Sequence, residues 1–176
     1  MSTMKQRGSR QRNQGGYREE KKEFDQRIID IARVTRVMAG GKRMRFRACV
    51  AIGNHKGKIG IGIAKGADVS AAITKAVSKA KKHLVTVTIV NDSIPHIVRQ
   101  KFGAAHVLLR PAPKGSGVIA GGAIRSMVEL AGIKNIVSKM LGSKSKINNV
   151  QATVLALKQL KDQATLRQFH SSASKV

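Results

Sequence analysis

Between residues 43 and 52 the chain alternates strictly, with Met44, Phe46, Ala48, Val50 and Ile52 on one side and Arg43, Arg45, Arg47, Cys49 and Ala51 on the other. A period of two puts these sets on opposite faces of a strand, one apolar and the other opened by three arginines. Ahead of it, Ile28, Ile29, Ile31, Val34 and Val37 predict another extended segment, and Ala39-Gly40-Gly41-Lys42 predicts the turn that folds the first strand back on the second. After a turn at Gly53-Asn54-His55-Lys56-Gly57, the run Lys58-Ile59-Gly60-Ile61-Gly62-Ile63 places isoleucines on one face and glycines on the other, a surface another backbone can approach closely.

The period then changes. Val69, Ala72, Ile73, Ala76, Val77, Ala80 and Leu84 recur at helical spacing behind Asp68, which suits the N-cap because its carboxylate can accept from the first free amides. Lys75, Lys79 and Lys82, with Lys81 beside them, form a second stripe. Residues 28–84 thus predict a sheet carrying one helix. Val85, Val87 and Ile89 alternate with threonines and start a second domain. Asn91-Asp92 marks a turn, and strands are predicted over 94–101 and 105–110. A loop from Pro111 to Gly117 leads to a helix with Ala120, Ala123, Ile124, Met127, Val128 and Ala131 inward and Gly132 as its C-terminal cap. A short strand near 133–137 and a last helix over 148–160, started by Asn148 or Asn149, complete the core.

This divides the chain into a disordered basic arm (1–23), an N-terminal domain (24–84), a C-terminal α/β domain (85–162) and a flexible tail (163–176). The arm, rich in Gln, Arg, Gly and Ser, reads equally as a plain flexible terminus and as a segment that orders on a polyanion.

Composition changes the picture most through charge. Thirty-four lysines and arginines stand against nine aspartates and glutamates, and between Ile31 and Lys161 the only carboxylates are Asp68, Asp92 and Glu129. Such a surface lacks internal partners for its cations, and nucleic acid is the commonest external polyanion. The arginine face of the second strand has no cross-strand acid in this reading, so polyanion contact is favoured there over simple solvation. The lysine stripe serves equally as a solubilising face. An aromatic fraction of 3% disfavours stacking on unpaired bases and favours contact with backbones and grooves.

The same scarcity of acids argues against catalysis. Gly60, Gly62 and Gly66 lack the spacing and the following acid of a dinucleotide fingerprint. The loop Pro113, Gly115, Ser116, Gly117 has part of the phosphate loop of kinases related to galactokinase, without its serine pair, and the magnesium ligands such chemistry needs are missing. His55, His83, His96, His106 and His170 show no metal-ligand spacing, and Cys49 is alone and reads as a small core residue. No metal, no cofactor and no enzymatic activity are expected. No apolar run reaches membrane-span length, and no hydrophobic stretch follows Lys5, Arg7, Arg10 and Arg12. A cytoplasmic location is favoured, with an organellar one left open.

Several runs together resemble the bacterial-type small-subunit ribosomal protein five family. In the first domain these are Arg33-Val34, Gly40-Gly41-Lys42, Phe46, Gly60-Ile61-Gly62, Lys65 and the helix from Ala71-Ala72-Ile73 to Lys75-Ala76. In the second they are Gly115-Ser116-Gly117-Val118-Ile119-Ala120-Gly121-Gly122-Ala123-Ile124-Arg125, then Glu129, Ala131-Gly132, Asn135, Gly142-Ser143 and Ile147-Asn148. The match runs in order over residues 25–160, and its glycine-rich run is highly specific.

The resemblance implies a two-domain α+β protein, an N-terminal module similar to double-stranded-RNA-binding domains followed by a second α/β module similar to the ribosomal protein five domain-two fold. It implies binding to small-subunit ribosomal RNA, contacts with proteins four and eight of that subunit, and roles in subunit assembly and decoding accuracy. It also implies a place at the messenger RNA entry channel near protein three. Thr35, Arg36, Gly40, Gly41 and Lys42 fall on the hairpin that in the family approaches the spectinomycin site. Gly117 and Arg125 fall where the family meets protein four and where accuracy is affected. Ala39 and Lys42 depart from the family's usual lysine and arginine. The candidate RNA-binding set is Arg33, Arg36, Gly40, Gly41, Lys42, Arg43, Arg45, Arg47, Lys56, Lys58, Lys65, Lys75, Lys79 and Lys82.

Overall fold

Strands β1 (Asp25–Met38) and β2 (Gly41–Gly53) form a long antiparallel hairpin closed by Ala39 and Gly40, with Gly40 at φ 84°. A computed structural model describes residues 23–161. The expected arm and tail lie outside the described residues apart from Glu23. β3 (Lys58–Gly66) pairs with β2, and β4 (Leu84–Thr86) pairs with β3, giving a four-stranded antiparallel sheet in chain order.

Helix α1 (Val69–Lys82) lies on one face of this sheet, and its buried residues are Ala72, Ala76 and Ala80. They meet the glycine face of β3. A Cβ on Gly60, Gly62 or Gly66 would come within 2.6, 1.9 or 2.6 Å of α1 backbone atoms. Glycine opposite alanine therefore lets helix and strand backbones touch directly. Asp68 does occupy the N-cap, but its side chain makes no capping bond; its carbonyl accepts from Ala72 N at 3.0 Å instead.

Two expectations need correction at the first domain's end. Leu84 lies in β4 rather than on the helix stripe, and it is exposed. The expected boundary after residue 84 cuts β4, whose hydrogen bonds to β3 keep it in the first sheet.

The second sheet contains β5 (Val98–Phe102), β6 (Ala105–Pro111), β7 (Val118–Ile119) and β8 (Ile136–Met140), in the order β5-β6-β8-β7. The turn at Asn91-Asp92 is present, with positive φ at both residues. α2 (Gly122–Ala131) ends in left-handed Gly132; Gly132 N donates to the Glu129 carbonyl and Ile133 N to that of Val128, a Schellman closure. That closure occupies Ile133, so the expected strand near 133–137 begins later, at Ile136. β7 is too short to leave a periodic signal. α3 (Lys146–Lys158) starts two residues earlier than expected, behind Ser145. Asn149, expected as a cap, is buried inside α3, where Nδ2 donates to the carbonyls of Ser143 at 2.8 Å and Ser145 at 2.9 Å.

α2 packs against β1, β2 and β3 as well as β7, while α3 packs on β5 and β6 and also reaches the first sheet. The layers are thus α1, first sheet, the α2 and α3 layer, and second sheet. One core cluster spans the junction and joins Ala51 and Ile59 to Met127, Leu130 and Leu157. The two modules are consequently packed as one body, because the first sheet is apolar on both faces over the second half of β2.

Candidate nucleic-acid interface

The β1–β2 hairpin extends past its helices, and its register determines which side chains share a face. Arg36 lies opposite Arg43, Val34 opposite Arg45, and Ala32 opposite Arg47, while Lys65 on β3 lies opposite Arg47 on the other side. Directly opposed residues project to one face, so Arg36, Arg43, Arg45, Arg47 and Lys65 form a single cationic surface. Val34, Thr35, Arg36, Met38, Arg43, Arg45 and Lys65 line a shallow cleft of about 240 Å³ on it.

Farther along β2 the same face becomes apolar, with Cys49 buried and Ala51 packed into the core shared with the second domain. Burial pushes the Cys49 thiol up to about 11, with the nearby Asp30 carboxylate adding to the shift and the Arg47 guanidinium opposing it. Cys49 is a core residue as expected.

The expectation that no cross-strand acid faces the arginines is overturned. In the register that runs from the Gly40–Gly41 turn, Asp30 lies opposite Cys49 on the arginine face, and a bulge shifts the pairing only beyond it, between Ile28 and Asp30. Asp30 lies 3.7 Å from Arg47 and 3.2 Å from Lys146. Arg47 is thereby partly committed inside the protein. Arg36, Arg43, Arg45 and Lys65 have no carboxylate partner among the described residues.

The remaining candidates lie apart from this cluster. Arg33 and Lys42 belong to the hairpin's other face, opposite Phe46 and Val37. Lys56 and Lys58 belong to the β2–β3 turn at the far end of β2, roughly 40 Å from the Gly40–Gly41 turn at the usual rise per residue. Lys75, Lys79 and Lys82 are exposed on α1, on the opposite side of the first sheet from the arginines.

The β2–β3 turn also docks the two domains. His55 N and Gly57 N donate to the carbonyls of Leu130 and Ala131 at 3.0 and 2.9 Å, so backbone amides of the turn satisfy the open C-terminal end of α2. The His55 ring bridges Asp25 Oδ2 at 3.0 Å and the Glu129 carbonyl at 2.8 Å, and Arg27 pairs with Glu129 beside it. Of the acids that sequence reading placed near the chain's start, Asp25 and Asp30 therefore serve contacts between domains.

The glycine-rich loop of the second domain is held by a residue whose role sequence reading missed. Gly115 N and Gly117 N both donate to Asn135 Oδ1 at 3.1 Å, and Ser93 Oγ donates to the Asn135 carbonyl at 2.7 Å. These amides are used internally rather than presented to a phosphate, which fits the packing role of the loop. Arg125 on α2 is exposed, and its Nη2 donates to the Val118 carbonyl at 3.3 Å, so Arg125 and Gly117 flank one short segment. Among the described residues no group of His, Cys, Asp and Glu could hold a metal ion, and no helix is long and apolar enough to cross a membrane.

Residues 24–88 match the family described as Ribosomal protein S5, N-terminal domain, and residues 100–168 match Ribosomal protein S5, C-terminal domain. The chain is 49% identical over 154 residues to Small ribosomal subunit protein uS5c of Rhodomonas salina, covering 87% of this chain and 92% of the relative. It is 50% identical over 144 residues to Small ribosomal subunit protein uS5 of Synechococcus elongatus, covering 81% and 80%. With Small ribosomal subunit protein uS5 of Prochlorococcus marinus subsp. pastoris it shares 49% over 154 residues, covering 87% and 71%. The order of the glycine-rich run, the hairpin and the two domain matches leads to one conclusion: the chain belongs to the ribosomal protein S5 family of the small ribosomal subunit, a family of ribosomal proteins and not of enzymes.

Proposed function

We propose that this chain is a structural constituent of the small ribosomal subunit that grips small-subunit ribosomal RNA with the β1–β2 hairpin. The observation that carries this reading is the surface of Arg36, Arg43, Arg45 and Lys65, which has no carboxylate partner among the described residues. Cations fixed on a rigid sheet suit shape and phosphate recognition of structured RNA. The order β1-β2-β3-α1 supports a likeness to double-stranded-RNA-binding modules.

Within this reading the protein is bound to ribosomes of the cytoplasm or of an organelle and supports subunit assembly. Proteins four and eight are its neighbours, with protein three and the messenger RNA entry channel nearby. Gly117 and Arg125 lie at the contact that bears on decoding accuracy. Replacing Arg125 alters misreading and leaves RNA affinity nearly intact; a large affinity loss with unchanged fidelity contradicts that assignment.

The hairpin is tested by changing Arg36, Arg43 and Arg45 together to alanine. Binding to transcribed small-subunit ribosomal RNA weakens, and the slope of log affinity against log salt flattens by about 2 to 3. An unchanged slope rejects phosphate neutralisation by this face. Arg47 is left in place, because Asp30 already engages it.

A further inference from the structure

Among the described residues the second sheet has a face with no covering layer. α3 packs on β5 and β6, and α2 on β7, from one side only, and the residues turned to that side, including Val98, Val107, Leu109 and Ile136, are buried. Register determines the other side. Lys101 lies opposite His106, Arg99 and Lys139 flank Leu108, and Arg110 and Ile119 flank Val137. These three cross-strand rows form one continuous surface.

Its chemistry is uniform in sign. Arg99, Lys101, Arg110 and Lys139 are exposed, and none pairs with a carboxylate among the described residues. The carboxylates of the second domain among the described residues are committed elsewhere, Asp92 to Lys134 and Glu129 to Arg27. Alternate residues of one strand stand roughly 7 Å apart, so Arg99 and Lys101 present two fixed charges along β5 while Lys139 and Arg110 present two more across the sheet. A cleft of about 400 Å³ opens at one end of the face, beside Arg99, Lys101 and His106.

We propose that this open face is a second RNA-contact surface, in which Arg99, Lys101, Arg110 and Lys139 neutralise phosphates of the ribosomal RNA. It rests on the reading of the protein as an RNA binder and extends it to the domain whose cations look scattered in sequence. Charge complementarity selects the partner: an open sheet with four uncompensated cations favours a polyanion. The face carries no Phe, Tyr or Trp, and His106 is its one aromatic ring, so contact is mainly with backbone rather than with stacked bases. Leu108 and Val137, half-buried at the centre, give it a small apolar floor.

The test uses the full chain and transcribed small-subunit ribosomal RNA, with R99A/K101A/R110A/K139A compared with R36A/R43A/R45A and circular dichroism confirming that each is folded. The sheet variant is expected to bind at least about tenfold more weakly at 0.15 M salt, with a slope against log salt flatter by about 2 to 4. The charge-keeping variant R99K/R110K is expected to retain most of the binding. Wild-type affinity and slope in the sheet variant, with the hairpin variant impaired, overturn the second surface and leave the hairpin reading standing. The same holds if the sheet variant keeps its RNA binding and loses only an acidic protein neighbour. An impaired sheet variant beside an unimpaired hairpin variant supports the second surface and rejects the hairpin reading.

Discussion

Lys146 in the first turn of α3 lies 3.2 Å from Asp30 on β1, so one ion pair ties the base of the hairpin to the helix layer of the second domain. Asp30 holds this position in the register that runs unbroken from the Gly40–Gly41 turn, and the shift displaces only the residues before it. Continued unbroken, that ladder would put Arg27 opposite Ile52 on the α1 side; the shift puts it opposite Ala51, on the side where it pairs with Glu129. The turn-set register and the bulge thus each supply a contact between domains, Asp30 with Lys146 and Arg27 with Glu129.

Replacing Asp30 with asparagine separates two consequences of that contact. Stability is expected to fall by about 0.5 to 1 kcal/mol, because the partners are partly exposed and such pairs are modest. RNA affinity is expected to rise, since the arginine face loses its one carboxylate and Arg47 is released. Urea unfolding and RNA titration check the two effects, and weaker RNA binding at unchanged stability contradicts the assignment.

Glycine on β3 is a packing requirement. A Cβ at Gly62 would meet the Ala76 carbonyl oxygen at 1.9 Å, a backbone atom that cannot rotate away. Gly62→Ala is expected to destabilise by about 3 kcal/mol or more, whereas Gly122→Ala, with nothing within 4 Å, stays within about 0.5 kcal/mol of wild type. Thermal melts of both proteins decide it; equal effects would count against the close approach.

Asn135 is expected to hold the glycine-rich loop. Asn135→Ala leaves the Gly115 and Gly117 amides without their acceptor and costs about 1 to 3 kcal/mol. Hydrogen exchange at these two amides then quickens while exchange in α1 keeps its protection relative to the global stability. Unchanged exchange at both glycines would show that the loop holds itself.

Cys49 gives a chemical reading of the same packing. With its thiol pushed up to about 11 by burial, little thiolate exists near pH 8, and the residue is only 1% exposed. An aromatic disulfide reagent is expected to react slowly with the native protein and rapidly in urea. Below pH 9 this thiol leaves stability unchanged; above it, the unfolded chain ionises first and stability declines toward pH 11. Rapid native-state labelling at pH 8 would show that the second domain does not cover this strand.

The hairpin, α1 and its glycine seat were legible because each rests on a local period: alternation across Arg43 to Ile52, a four-residue repeat of alanines, and glycines alternating with isoleucines at 59–63 in β3. Asp30 was not, because placing it beside Arg47 takes the register between two strands, which composition does not show. Asn135 was noticed only as part of the family resemblance, since its role depends on two amides about twenty positions away in sequence. Arg99, Lys101, Arg110 and Lys139 were illegible as a group for a related reason. They come from three strands, and only the register of β5, β6 and β8 collects them on one face.

The shared core also bears on how the chain is made. Residues 25–86 complete the first sheet and α1, yet Ala51 and Ile59 face partners in α2 and α3, which leave the ribosome later. A newly synthesised N-terminal half therefore waits with an apolar surface uncovered, in a chain whose cations are drawn to any RNA nearby. Chains of this kind are prone to aggregate while incomplete. Release of the second half, rather than folding of the first, sets the moment at which the nascent protein becomes safe from its own stickiness.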